Sequence, residues 1–371
     1  MLAGQAVPTI GAPGDREEAS LSESAAAGVP EPQLDSARTR DDGSPPRAPI
    51  CFVLEPVPPF RLDLTVWALR RRPHNTIDRW DGDTYHRALR LSTDAVAEIE
   101  VRQTAPPESA RLVVSVEVDR PGRQARAEVT ATLGRTLGLD ADLRDFYQRA
   151  EHDPRLHPLV QRFRGVKPPQ FPSLFECLAN AIACQQLTLT VGIELLNRLT
   201  ERYGHAAAGA SATAPRAFPA PADLATADPD TVRSLGFSTA KAHALIELGQ
   251  RITEDGIDLE PLAVADDQSA SAALQRLRGI GRWSAEYALL RGLGRLAVFP
   301  ADDVGARNNL QRFLDLGPGM DYEAVRRAAS RWAPNAGLVY FHLLLDHVDR
   351  AGWLTSPRSR VVSTRPTRRG T

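Results

Sequence analysis

Lysine is nearly absent from this chain: among 371 residues only Lys167 and Lys241 occur, and arginine supplies the rest of the 45 basic side chains. Chemistry that runs through a lysine amine is therefore confined to two positions. Against 46 acidic residues the formal net charge is −1, so overall charge offers no sign of a nucleic-acid partner. Abundant arginine with abundant alanine has the look of a high-GC coding bias, and arginine content alone carries no argument for DNA binding. Cysteine is scarce too. Cys51, Cys177 and Cys184 are too few and too scattered for a disulfide framework, and they exclude a four-cysteine metal or iron–sulfur site. A reduced cytoplasmic setting, nucleoid-associated if DNA is the partner, is the default expectation. No window holds the roughly 18 uninterrupted apolar residues of a membrane span. The first residues lack a basic start followed by an apolar run, so neither a membrane partner nor a secretory signal is expected.

What is present suffices for a core. Hydrophobic residues make up 42% and charged residues 25%, in a length suited to two or three domains. Residues 1–50, rich in Ala, Pro, Ser and acids and without an aromatic residue, read as a disordered tail. Residues 356–371 read as a second, basic tail, with "RSRVVSTRPTRRGT" carrying five arginines and no acid. Between them the texture changes once. In residues 51–145, "RLDLTVWALRRR" has helical spacing, "AVAEIEVRQ" and "ARLVVSVEVD" alternate as half-buried antiparallel strands do, and "RAEVTATLGRTLGL" is again helical. Residues 146–355 read almost entirely as helices, with Ser173 a cap for one or two long helices and 205–222 a low-complexity surface loop. The expected fold class is α+β: a small antiparallel-sheet domain, then an all-α domain.

The densest segment is "LRGIGRWSAEYALLRGLGRLAVFPADD", residues 277–303. It reads as the second half of a helix–turn–helix pair. Gly279 and Gly281 permit positive φ and close backbone approach, and Ile280 sits between them. The helix beginning near Arg282 presents free N–H groups, which can hold a phosphate without a charged side chain. An ordinary glycine-containing helical corner would look the same. Trp283 and Tyr287, four apart, share a helix face; core packing is the commoner use of such a pair. A strand-like run then ends at Pro300, and Asp302 or Asp303 can cap the helix that follows. A helix start favours the carboxylate anion, which suits an electrostatic stabiliser or water-activating base better than a general acid.

A glycine hairpin followed about twenty residues later by a Pro-associated Asp at a helix start resembles the helix-hairpin-helix DNA glycosylase superfamily. Within it, the chain is most similar to the 3-methyladenine DNA glycosylase II family, from about Phe60 to Trp353. "AIACQQLT", "LGFSTAKA", "LRGIGRWSAEYALLRGLG", "FPADD" and "RWAPNAGLVYFHL" carry the resemblance. It implies an all-α glycosylase domain in which Asp303 is the catalytic carboxylate. Trp283, Tyr287 and Gln185 would line the base pocket, with Gln186 the wedge entering the emptied stack. Gly279, Ile280 and Gly281 would hold the DNA backbone, with Lys241 as a further phosphate contact. The partner would be double-stranded DNA carrying a damaged base, flipped out to reach the site.

The resemblance implies no cofactor beyond a monovalent cation that hairpin carbonyls can bind, and a monomer. Bifunctional relatives place a lysine where Trp283 stands, so a monofunctional enzyme that leaves an abasic site is expected. Two departures stand out. Gln186 is polar where the family wedge is commonly apolar, and Leu344 replaces a large aromatic beside the catalytic acid. Trp67 is a candidate second wall or a core residue. His342 and His347, five apart on the last helix, form no metal pair. Two other readings stay open: a non-catalytic damage-recognition protein on this fold, and a glycosylase for oxidised or deaminated bases.

Overall fold

A computed structural model describes residues 49–354; the tail at 356–371 and all but the end of the tail at 1–50 lie outside the described residues. The sheet is built from β1 (Ile50–Leu54), β2 (Arg79–Trp80), β3 (Thr84–Arg90), β4 (Val96–Gln103) and β5 (Leu112–Glu117). All pairings are antiparallel, in the order β1-β5-β4-β3-β2. Strand alternation behaves as the sequence indicates: Ile99 and Val101 of β4 point into a core while Glu100 stays outside. Helices α1 (Leu62–Arg70) and α2 (Arg123–Leu137) cover that face, with Val66, Leu69, Val129 and Leu133 packed on Tyr85, Ile99 and Val114.

The remainder is helical, as expected. In chain order come α3 (Arg144–Glu151), α4 (Leu156–Arg162), α5 (Leu174–Cys184), α6 (Leu189–Tyr203), α7 (Pro221–Ala225) and α8 (Pro229–Ser234). Then follow α9 (Thr239–Thr253), α10 (Asp267–Leu274), α11 (Arg282–Arg291), α12 (Val304–Phe313), α13 (Tyr322–Ser330) and α14 (Ala336–Arg350). Ser173 caps α5 by accepting from Glu176 N, and Thr188 restarts the chain as α6 by accepting from Val191 N. The anticipated long amphipathic segment is thus two helices separated by a tight break at 185–188.

Two helical cores result. One gathers α5, α6, α9 and α11. The other surrounds α14 with α3, α4, α12, α13 and also α1 of the sheet side, where Trp67 stacks on Trp353 at 6.5 Å. Trp67 is therefore a core residue, and the change of texture near 145 does not separate two cores.

A buried ionic cluster ties the sheet to α5. Arg87 of β3 donates to Asp78 at 2.5 Å and to both oxygens of Glu176 at 2.6 and 2.7 Å, and Tyr85 Oη donates to Asp78 at 2.8 Å. All four are nearly inaccessible. The two flanking carboxylates hold Arg87 firmly protonated against the cost of its burial.

Two local expectations are corrected. "RLAVFP" is irregular rather than a strand, because no neighbouring strand is there to pair with it. The 205–222 segment is not merely a surface loop: His205 and Ala217 exchange backbone hydrogen bonds, and Ala217 is buried against Ala88 and Val96 of the sheet.

Candidate active site

A cavity of about 1280 Å³ opens where the α5–α6 break, the α10–α11 hairpin, the start of α12 and the middle of α14 converge. Asp303 stands at its wall as the N-cap of α12. Its Oδ1 accepts from Ala306 N at 2.8 Å, and its Oδ2 accepts from Trp283 Nε1 at 3.2 Å. Both oxygens are thereby oriented. The neighbouring Asp302 is engaged elsewhere, accepting from Arg282 Nε at 2.6 Å on the surface. The loop carrying the acid pair is itself propped. Glu286, one turn along α11, accepts from Ala301 N at 3.0 Å and from Tyr322 Oη at 2.6 Å.

Trp283 thus has two functions, only one of which its spacing suggested. Its ring stacks on Tyr287 at 5.6 Å as pocket wall, and its N–H holds the carboxylate. Tyr287 lines the cavity from a buried position. Its hydroxyl accepts from Arg71 at 2.9 Å and donates to Asn180 at 3.1 Å, and burial pushes the phenol well up so that it stays protonated. The gap at Leu344 is met one helical turn earlier. Tyr340 also lines the cavity, packed edge-on against Phe299 at 6.0 Å, with burial raising its phenol to about 12.

The hairpin glycines differ in purpose. Gly279 has φ +79°, and a Cβ there would meet Ala244 Cβ at 2.8 Å, so the fold requires glycine. Gly281 has an ordinary φ of −91°, and a Cβ would meet nothing within 4 Å, so the latitude for positive φ is used at Gly279 alone of the two. Gly281 begins α11 with no side chain capping the free N–H groups. Nothing in the protein would crowd a Cβ at 281. Ile280 is 5% exposed and packs in the α5–α9–α11 core, so only its backbone can face DNA.

Three further candidate contacts make bonds or turns that their spacing did not show. Gln185 lines the cavity, but its side-chain amide donates to Gly279 O at 2.5 Å and Ser284 Oγ at 2.8 Å, bracing the hairpin. Lys241 is partly buried: its ammonium donates to Ala183 O at 2.9 Å and Gln185 O at 2.6 Å, closing the C-terminus of α5. Gln186 is exposed on the cavity rim with φ +54°, a left-handed turn that also thrusts Leu187 outward at 43% exposure. The other lysine, Lys167, is buried away from the cavity with its ammonium on Ala141 O at 2.5 Å, and burial lowers it to about 8. Among the described residues, no lysine lines the cavity and no group of three or more His, Cys, Asp or Glu is placed to hold a metal. His342 is a core residue beside Phe146, lowered to about 4 by burial. No helix of the described residues is long and apolar enough to cross a membrane.

Sequence reasoning missed Arg71, Glu286 and Tyr340. Tyr340 and Glu286 lie within quoted segments, and helical spacing from Leu344 and Trp283 would have pointed to them. Nothing local marks Arg71, which reaches the site from the sheet side.

Two family models match. Residues 179–335 match the HhH-GPD superfamily base excision DNA repair protein, and residues 51–172 match the AlkA N-terminal domain. The DNA-3-methyladenine glycosylase 2 of Escherichia coli (strain K12) is 28% identical over 293 residues, 79% of this chain and 96% of that protein. A solved 3-methyladenine DNA-glycosylase from Archaeoglobus fulgidus superposes with a TM-score of 0.69 at 26% identity, covering 81% of this chain and 98% of that one. The Clostridium acetobutylicum 8-oxoguanine glycosylase/lyase, at 15% identity and a TM-score of 0.63 over 81% of this chain and 98% of its own, shares the fold. By its two matched segments, the second of which holds both the hairpin and Asp303, the chain belongs to the helix-hairpin-helix superfamily of base excision DNA repair proteins.

Proposed function

We propose that this protein is a monofunctional DNA glycosylase that hydrolyses the N-glycosidic bond of alkylated purines of the 3-methyladenine type in duplex DNA. The observation that carries the proposal is Asp303: a carboxylate at a helix start, held by Ala306 N and Trp283 Nε1, facing a cavity large enough for a flipped base. An alkylated purine is cationic and departs as a neutral molecule, so no general acid is required. As the base leaves, C1′ becomes oxocarbenium-like. Asp303 stabilises that charge or orients the attacking water. Trp283 and Tyr340 supply π-faces for the cationic base. With no lysine lining the cavity among the described residues, the product is an abasic site with an unbroken strand.

In this proposal a phosphate beside the lesion rests on the open N-terminus of α11 at Gly281, and Gln186 with Leu187 fills the vacated stack. Leu277 O and Gly279 O each accept one hydrogen bond and keep a second lone pair. They would hold a monovalent cation adding charge for the phosphate, and no chemical step depends on it. The protein acts as a monomer.

The direct test is incubation of the full chain with methylated duplex DNA. Free 3-methyladenine, with strand breaks appearing only after alkali, is the expected outcome. Tight binding without base release would instead favour a damage sensor. Two variants probe parts of the site. Gly281→Val keeps an ordinary φ and its Cβ meets nothing within 4 Å, so the helical domain should stay folded with a small loss at the helix N-cap. It should weaken DNA binding by about 1 kcal/mol, roughly fivefold, by covering the helix start. Trp283→Ala should depress release of cationic purines more than of neutral ones, by about 0.5–2 kcal/mol. Trp283→Phe keeps a ring and loses the N–H on Asp303, so it should slow release of both classes together.

A further inference from the structure

Residues 300–303 form a tight turn, closed by Asp303 N donating to Pro300 O at 3.1 Å, so the backbone at Ala301 governs where Asp303 falls. Three successive residues of this turn meet α11. Ala301 N donates to Glu286 Oε2 at 3.0 Å, Asp302 accepts from Arg282, and Asp303 accepts from Trp283. The Arg282 pair lies at the surface, where such pairs hold little. The Trp283 bond belongs to the reacting carboxylate itself. The Glu286 bond is of another kind. Ala301 is fully buried, a buried amide needs an acceptor, and a carboxylate is a strong one. Glu286 is in turn held from α13: its Oε1 accepts from Tyr322 Oη at 2.6 Å, and the Arg282 guanidinium lies 3.7 Å over the Tyr322 ring. Neither Glu286 nor Tyr322 lines the base cavity. No strand pairs with residues 295–300 on the way into the turn, so discrete contacts such as this one fix its position.

Resting on the glycosylase reading above, we infer that Glu286 is a positioning residue for base release: through Ala301 N it sets the reach of Asp303 toward C1′, while Tyr322 locks the Glu286 carboxylate in place. Glu286 stands outside the cavity and touches no substrate. Its part depends on side-chain length and on two bonding positions rather than on charge. A glutamine has the same reach. Its amide oxygen accepts from Ala301 N, and its amide nitrogen donates to Tyr322 Oη, which accepts as readily as it donates. An aspartate keeps the charge but is one methylene short. It either releases Ala301 or draws the turn toward α11, and in both cases Asp303 moves by on the order of 1 Å.

The test compares Glu286→Gln with Glu286→Asp in the full chain. Single-turnover release of methylated purines from methylated duplex DNA is measured beside binding to an abasic-site analogue and a thermal melt. Glu286→Gln should release within about threefold of wild type. Glu286→Asp should release about ten- to a hundredfold more slowly, with binding within about threefold. A second readout is independent of activity: the NMR signal of the Trp283 indole N–H, which reports the bond to Asp303 and is assigned by its loss in Trp283→Phe. It should stay in place in Glu286→Gln and shift in Glu286→Asp. Tyr322→Phe frees the carboxylate without removing its charge, so it should shift the same signal and slow release in the same direction. Equal release by the two Glu286 variants, a greater loss in Glu286→Gln, or an indole signal unmoved in both Glu286→Asp and Tyr322→Phe overturns the inference and leaves the glycosylase reading standing. Absence of release by wild type removes both.

Discussion

Asp303→Asn is expected to lower the rate of base release about a hundred- to a thousandfold, or ~2.7–4 kcal/mol, while DNA binding and folding persist. The reason lies in the double use of this side chain. Asp303 caps α12 through Oδ1, and asparagine caps a helix about as well as aspartate, so the Ala306 N bond survives. With the amide oxygen on Ala306 N, the amide nitrogen faces Trp283 Nε1, and that bond is lost together with the negative charge. Asparagine therefore removes the electrostatics and leaves the scaffold. Alanine would confuse the two, since losing the cap alone costs ~1 kcal/mol. The measurement is single-turnover base release beside a binding assay on a non-hydrolysable abasic-site analogue and a thermal melt. Release at the wild-type rate would remove Asp303 from the mechanism. The matching change at Asp302 should matter far less, because that carboxylate is paired with Arg282 at the surface.

The largest effect on stability is expected at Arg87→Met. Methionine approximates the volume of the arginine stem but leaves Asp78 and Glu176 as two buried carboxylates with no cation between them. Breaking a buried ion pair from one side costs ~3–5 kcal/mol, and the melting temperature should fall by about 10 °C or more. The contrasting control is Arg233→Met. Its partner Asp230 is 81% exposed, and the loss should stay within ~1 kcal/mol. A small shift for Arg87→Met would mean that the cluster relaxes or admits water. Because Glu176 begins α5, whose far end carries Gln185, the damage should extend to the site: base release should fall even at temperatures where the variant remains folded.

Where the chain's periodicity is clean, the fold was legible from the residues. α1, α2, β4, β5 and the α10–α11 hairpin lie where spacing and punctuation put them. β3 was not legible, and the reason is Arg87. An arginine on the same strand face as Tyr85 and Leu89 hides the alternation that marks a half-buried strand, and only the distant Glu176 shows why it can be there. The site divides in the same way. Asp303, Trp283 and the glycines belong to one short segment with a recognisable order. Arg71 and Asn180 come together only through tertiary packing, at sequence separations that local patterns do not span. The bonds of Lys241 were not legible either, because a lone lysine on a helix looks solvated, whereas here the nearby end of α5 offers it two carbonyls.

The chain of contacts from Lys241 to Gln185 to the carbonyl of Gly279 joins the rim proposed to enter the base stack to the loop proposed to face the DNA backbone. Such a brace makes the two a single gauge of fixed span. A duplex that is already slack at a damaged step can be drawn to that span cheaply, while an intact stretch resists. Discrimination would then begin as mechanics, in how readily a given base step yields, before any base has reached the pocket to be tested by its charge.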